Sequence, residues 1–211
     1  MDQTVVSRAR AGHALLLDCK RLAVRHVPIR LKGWAFAIFD TNVRHALASS
    51  EYNKRRAECE AAAKKLGVKL LRDVTVKHLL RHGQRLTENE HKRVRHVLTE
   101  DLRTAQFAAS LGSSDVGNLG LLLNQSHQSL SNNYEASCAE LDTLQCLTLL
   151  NCQGSRMTGG GFGGAIVALI VKNNYSKIKN TLKTLYKKHE QKNLGLSLLL
   201  QPSAGARVFE L

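Results

Sequence analysis

The stretch GSRMTGGGFGGAIVALIV, from Gly154 to Val171, decides how this chain is read. Five of the six residues from Gly159 to Gly164 are glycine, and an apolar, β-branched run follows at once. Glycine adopts positive φ freely and lets other groups approach the main chain closely. A glycine run ahead of a buried strand predicts a loop whose backbone amides face an anion or a sugar hydroxyl. A flexible linker would be padded with Ser and other polar residues; here Met157 and Phe162 punctuate the glycines instead.

Outward from this loop, the periodicity changes several times. Downstream come the strand Ala165–Val171, a basic helix over Tyr175–Gln191 and two closing strands, Leu196–Leu200 and Ala206–Leu211. Upstream, residues 1–10 suit a helical turn or two that Gly12 ends. A buried strand is expected at His13–Cys19, its antiparallel neighbour at Leu22–Ile29 and a third strand at Trp34–Thr41, together a β-meander. The period then turns helical. One helix is expected from Ser50 as N-cap to Gly67 as C-cap, and others near Val76–Gly83, Glu88–Leu111 closed by Gly112, Val116–Tyr134 and Cys138–Asn151. The order is α+β, a sheet layered with helices, and not a doubly wound parallel sheet.

Composition narrows the function classes. No run of about 18 apolar residues occurs, which excludes a membrane span made of one long apolar helix. The N-terminus carries an acid at position 2 and no long apolar segment, so it does not read as a secretory signal. Five cysteines with no CxxC spacing read as reduced, mostly buried thiols of a cytoplasmic protein. The formal charge of +14 points to an anionic partner or substrate. Yet the basic clusters (Lys54-Arg55-Arg56, Lys64-Lys65, His91-Lys92-Arg93, Lys187-Lys188) are dispersed among acids, as on solvated helix faces. Aromatic residues are too few, at 5%, for a base-stacking platform, so no nucleic-acid partner is expected.

Five segments together resemble the C-terminal two-thirds of the galactokinases, within the GHMP family of small-molecule kinases. They are MDQ at Met1–Gln3, NVRHALASSEYNKRR at Asn42–Arg56, RHV with RTAQ at Arg95–Val97 and Arg103–Gln106, SHQSLSNNYEASCAELD at Ser126–Asp142, and SRMTGGGFGG at Ser155–Gly164. The resemblance implies a GHMP-type C-terminal domain over residues 46–211, with residues 1–45 left from an N-terminal kinase domain. It implies transfer of the γ-phosphoryl group of ATP, with Mg²⁺, to the anomeric hydroxyl of galactose. Asp2 matches the family's candidate base, which orients the sugar hydroxyl. Tyr52 matches the tyrosine that hydrogen-bonds the sugar ring, and Gly159, Gly160 and Gly161 match the glycine motif beside the sugar and phosphate. No metal site is expected from this chain's own residues, since Glu140 and Asp142, two apart, do not share a helix face. Histidines 13, 45, 96 and 127 are expected to be structural, and Arg44 to meet a phosphate or pair with Glu51 or Asp40.

Two family segments do not occur in the 211 residues: the arm of type GRxNLIGEHTDY and the phosphate loop of type GxGLSSSA. The expectation is a shortened kinase without measurable catalysis on its own, since electrostatic preorganisation is usually the largest catalytic effect. Exposed apolar surface would then favour self-association. The alternative is an inactive, galactokinase-like regulatory or sugar-sensing protein.

Overall fold

The computed structural model describes residues 2–44 and 48–206. The chain opens with helix α1 (Asp2–Arg8) and strands β1 (His13–Asp18), β2 (Ala23–Pro28) and β3 (Trp34–Arg44). Helices α2 (Ala48–Leu66), α3 (Val76–His82), α4 (Glu88–Ser113), α5 (Val116–Ser129) and α6 (Ala139–Thr148) follow. Strands β4 (Gly154–Thr158) and β5 (Gly163–Val171), helix α7 (Tyr175–Glu190) and strand β6 (Ser197–Leu199) complete it. The α+β expectation therefore holds.

The strands form two sheets rather than one meander. β1 and β2 pair only with each other, antiparallel, from His13 opposite Pro28 to Asp18 opposite Ala23. β1 is half-buried along its length, not buried. β3 leaves the hairpin and enters a four-stranded sheet in the order β4-β5-β3-β6, every pairing antiparallel. The physical reason lies in β5. Its run GGAIVALIV lacks polar alternation because both faces are covered. Ile166, Ala168 and Ile170 pack with Phe39, Leu144, Leu182 and Tyr186 under α6 and α7. Val167 and Leu169 point the other way, toward Phe107, Leu119 and Leu123 of α4 and α5. A third cluster, built on Ala62, Leu66 and Val94, locks α2 to α4.

Local signals set several helix ends, some of them unexpectedly. α2 begins at Ala48, so Ser50 lies inside it rather than capping it, while Gly67 does close it at φ +71°. α4 starts with a capping box: Glu90 N–H donates to Thr87 Oγ1 at 3.3 Å, and Glu90 Oε2 accepts from Thr87 N–H at 2.7 Å. It runs through Gly112 to Ser113, and Ser114 takes the left-handed turn. α5 stops at Ser129, and one π-helical turn spans Leu130–Tyr134. The first closing strand shrinks to β6, residue 206 is not in a strand, and 207–211 lie outside the described residues. β4 was not expected; the glycine run is the turn of the hairpin β4–β5. The cysteines are all free; two are exposed and three half-buried, so none is fully buried.

Helix α5 and strand β4 approach through two glycines. A Cβ on Gly154 would lie 2.2 Å from the Gly120 carbonyl oxygen, and one on Gly120 would lie 2.3 Å from that of Gln153. Backbone cannot give way cheaply there. Gly154→Ala is expected to cost about 1–3 kcal/mol through overpacking. At roughly 2–4 °C per kcal/mol for a chain of this size, a thermal melt reads it directly. An unchanged melting temperature would show that the two elements are not in close contact.

Candidate functional site

The glycines of the β4–β5 turn divide into two sets. Gly161 (φ +86°) and Gly163 (φ +115°) are packed against backbone: a Cβ would sit 2.2 Å from the Ala136 carbonyl oxygen and 2.6 Å from that of Val43, respectively. No side chain fits at either place. Gly159 and Gly160 meet nothing within 4 Å and stand open. The turn is pinned by Phe162 N–H donating to Ala136 O at 2.8 Å and by Thr41 Oγ1 donating to Gly164 O at 2.6 Å. Phe162 itself has φ +56°, a conformation an L-residue rarely adopts.

The segment supplying the Ala136 carbonyl is held by a buried charge network. Arg93 on α4 has no solvent exposure. Its Nε donates to Glu58 at 2.6 Å, its Nη1 to the Asn133 carbonyl at 2.5 Å and its Nη2 to Glu135 at 2.8 Å. Arg55 on α2, also buried, donates to the Glu135 carbonyl at 3.2 Å and lies 6.0 Å from the Phe162 ring centroid. Glu135 takes the left-handed conformation at φ +53°. Its carboxyl is held below the usual range, chiefly by the hydrogen bond from Arg93. Sequence reading placed Arg55 and Arg93 on solvated faces. Both are buried, because their partners come from distant parts of the chain.

Asp2 is the first residue of α1, a helix with no buried residue. The backbone beyond β6 ties it down: Gly205 N–H donates to Ala9 O at 2.9 Å and Ala206 N–H to Val6 O at 2.7 Å. Asp2, Gly159 and Gly160 all line one cavity of about 1170 Å³. Its walls come from the residues after β2, from α4 and α5, and from the β4–β5 turn. Tyr52 and Gly161 do not line it; Tyr52 is exposed on α2, and Gly161 is packed against Ala136. Arg44 pairs with Asp40 at 3.2 Å.

Three of the four histidines expected to be structural lie among the described residues, each with a hydrogen-bond partner. His127 Nδ1 accepts from Met157 N–H at 3.1 Å and its Nε2–H donates to Asp142 at 3.1 Å. This fixes a neutral tautomer, and burial pushes its pKa down. His96 Nδ1 meets Ser129 Oγ at 3.0 Å. Burial first, with Arg103, Arg156 and Arg93 assisting against Glu100, pushes it down from 6.5 to about 4. His13 meets the Ala11 carbonyl at 2.8 Å, and His45 lies outside the described residues. Among the described residues no group of three or more His, Cys, Asp or Glu side chains could hold a metal ion. No described helix is long and apolar enough to cross a membrane.

Residues 107–188 match the family described as GHMP kinases C terminal. A galactokinase of Thermotoga petrophila is 42% identical over 193 residues, which cover 90% of this chain and 53% of that protein. The Homo sapiens galactokinase is 45% identical over 172 residues, covering 81% and 44%. The crystal structure of Lactococcus lactis galactokinase complexed with galactose matches with a TM-score of 0.89 at 30% identity, over 96% of this chain and 54% of that one. The chain thus spans about half the length of the relatives it matches. Residues 107–188 match that family model, and along most of its length the chain is similar to part of a galactokinase.

Two outcomes test this geometry. Arg93→Met removes the nearest cation from Glu58 and Glu135, leaving Arg55 at 3.5 and 3.8 Å, and breaking such buried pairs costs about 3 kcal/mol or more. Denaturant unfolding at neutral pH reads the loss; no loss would show that Arg93 is not buried in the network. For His96 the folded pKa lies below the unfolded one, so the unfolded state binds the extra proton. Its contribution is complete above pH 6.5 and lost as pH falls toward 4, at about 1.4 kcal/mol per unit. His96→Asn is expected to flatten that part of the stability–pH curve, and an unaltered slope would refute the assignment.

Proposed function

We propose that this chain supplies the sugar-facing part of an ATP-dependent kinase that phosphorylates the anomeric hydroxyl of galactose. One observation carries the reading: Asp2, at one end of the chain, and Gly159 and Gly160, near the other, line the same cavity. The printed ligand of the matched Lactococcus structure, galactose, supports the substrate class. In this reading the Asp2 carboxylate accepts a hydrogen bond from the anomeric hydroxyl and holds that oxygen in line. Phosphoryl transfer through a loose transition state asks for such positioning more than for strong base chemistry. The open backbone at Gly159 and Gly160 leaves room for the sugar and its incoming phosphate. Tyr52 is exposed on α2 and does not line the cavity, so its role toward a sugar hydroxyl rests on the motif match alone.

ATP enters as co-substrate. For Mg²⁺ the described residues fit poorly. Asp2 and Glu100 are the only carboxylates among the cavity-lining residues. Glu100 is already engaged by Ser126, Arg103 and Arg156. Residues 1–45 are assigned to an N-terminal kinase domain and 46–211 to the C-terminal domain; the separate sheet of β1 and β2 supports the division, while β3, within residues 1–45, belongs wholly to the second sheet. A cytoplasmic setting is supported by the five free cysteines.

The reading is tested with the purified chain, galactose, ATP and Mg²⁺. Since the phosphate loop does not occur in these residues, the expected result is saturable galactose binding in calorimetry that Asp2→Ala weakens about tenfold, the loss of one charge-assisted contact, with an unchanged melt and no galactose 1-phosphate above a no-enzyme control. The melt should not move because α1 buries nothing. Turnover by this chain alone would overturn the expectation of a catalytically incomplete kinase, and the absence of galactose binding would overturn the sugar-facing assignment and the sugar-sensing alternative together.

A further inference from the structure

The same cavity has a second chemical character at the end formed by α4, α5 and β4. There Glu100 gathers three donors. Its Oε1 accepts from Ser126 Oγ at 2.5 Å and from Arg156 Nη1 at 3.1 Å, and its Oε2 accepts from Arg103 Nε at 2.9 Å. Arg156 Nε donates to the Met157 carbonyl at 2.9 Å, and Arg103 Nη2 to Thr99 Oγ1 at 2.8 Å. These bonds fix both guanidinium planes. They leave Nη2 of Arg156 and Nη1 of Arg103 without a hydrogen-bond partner among the described residues. Neither atom is among the fully buried unpaired ones, and both residues line the cavity. Two guanidiniums against one carboxylate leave this corner with one net positive charge.

The cavity also has an aromatic wall. Trp34, Phe36 and Phe107 line the cavity, with the two phenylalanine rings tilted against each other at a 6.2 Å centroid distance. Cavities that take small ligands combine such apolar walls with a few fixed polar groups. A dry wall beside immobilised, incompletely used arginine donors suits a ligand with an anionic head and a flat apolar body.

We propose that this cavity is a binding site for an aromatic oxyanion, its phosphate or carboxylate head on Arg103 and Arg156 and its ring against Trp34, Phe36 and Phe107. The site does not rest on the sugar-kinase reading: its ligand need carry no sugar, and occupancy is measured without turnover. Trp34 is the only tryptophan of the chain, so its fluorescence reports the cavity alone.

Phenyl phosphate and benzoate are titrated separately into the full chain, with benzyl alcohol and inorganic phosphate as controls. Saturable quenching of Trp34 is expected from at least one aromatic anion, and which one binds tighter identifies the head group. Benzyl alcohol should not saturate, and inorganic phosphate should compete only weakly. Arg103→Met and Arg156→Met should each weaken binding about tenfold or more, the loss of one charge-assisted contact. On the wild-type chain, affinity should also fall as salt is raised, which keeps the test available if either variant fails to fold. The absence of saturable quenching by both aromatic anions, salt-independent binding, or benzyl alcohol binding as tightly would each overturn the proposal.

Discussion

The buried guanidinium of Arg93, with that of Arg55 beside it, sets the geometry on which the glycine turn depends. Arg93 is fully buried, and its three hydrogen bonds reach α2 through Glu58 and the 133–135 segment through Asn133 and Glu135. A buried cation is tolerable only when its donors are all satisfied by well-placed acceptors. That requirement holds the π-helical turn 130–134 and the left-handed Glu135 in place. The next carbonyl, Ala136 O, then points at the one place in the β4–β5 turn that has neither side chain nor amide to spare. It accepts from Phe162 N–H and occupies the space that a Cβ on Gly161 would need. Electrostatics in one helix pair thus becomes backbone position in a turn of another sheet.

The same chain of contacts explains why the glycine run contains more glycine than a hairpin turn needs. At Gly161 and Gly163 the neighbouring carbonyls of Ala136 and Val43 leave no volume for a side chain. At Gly159 and Gly160 there is volume, and it belongs to the cavity. The first pair is fixed by packing and the second is open to a ligand, so four of the five glycines in one motif answer to two different constraints.

Much of the fold was legible because its signals are local. The uninterrupted apolar run of β5 marks a strand covered on both faces, and Thr87 with Glu90 marks the start of α4. The motif resemblance was legible for the same reason, since each motif is a contiguous string. Failures came where a distant partner decides. His91-Lys92-Arg93 has the pattern of a solvated face, but Glu135, 42 positions away, draws Arg93 inside. The expected meander failed likewise. Nothing within residues 13–41 reveals that β3 will prefer Val171 and Ile170 of β5 as neighbours over the strand just before it. Gly112 has the pattern of a helix end, yet α4 continues because its last turn still packs through Leu111 against α5.

The placement of Asp2 shows how such distant pairings assemble a site. A helix of seven residues that buries no side chain has little to hold it in place by itself. What fixes α1 is backbone: the Gly205 and Ala206 amides on its carbonyls, and Gly12 N–H on Pro202 O. That returning segment begins at β6, whose register on β3 sets Leu199 opposite Ala37. β3 in turn sets Asp40 opposite Ala165, next to the glycine turn. Asp2 and Gly159–Gly160 therefore share a cavity through one continuous path of main-chain hydrogen bonds, from α1 through the 200–206 segment, β6 and β3 to β5. Gly205 is itself part of that path, because a Cβ there would come within 2.6 Å of the Val6 carbonyl oxygen. The position of the carboxylate in this cavity is thus decided less by the helix that carries it than by the sheet on which its restraining segment is hung.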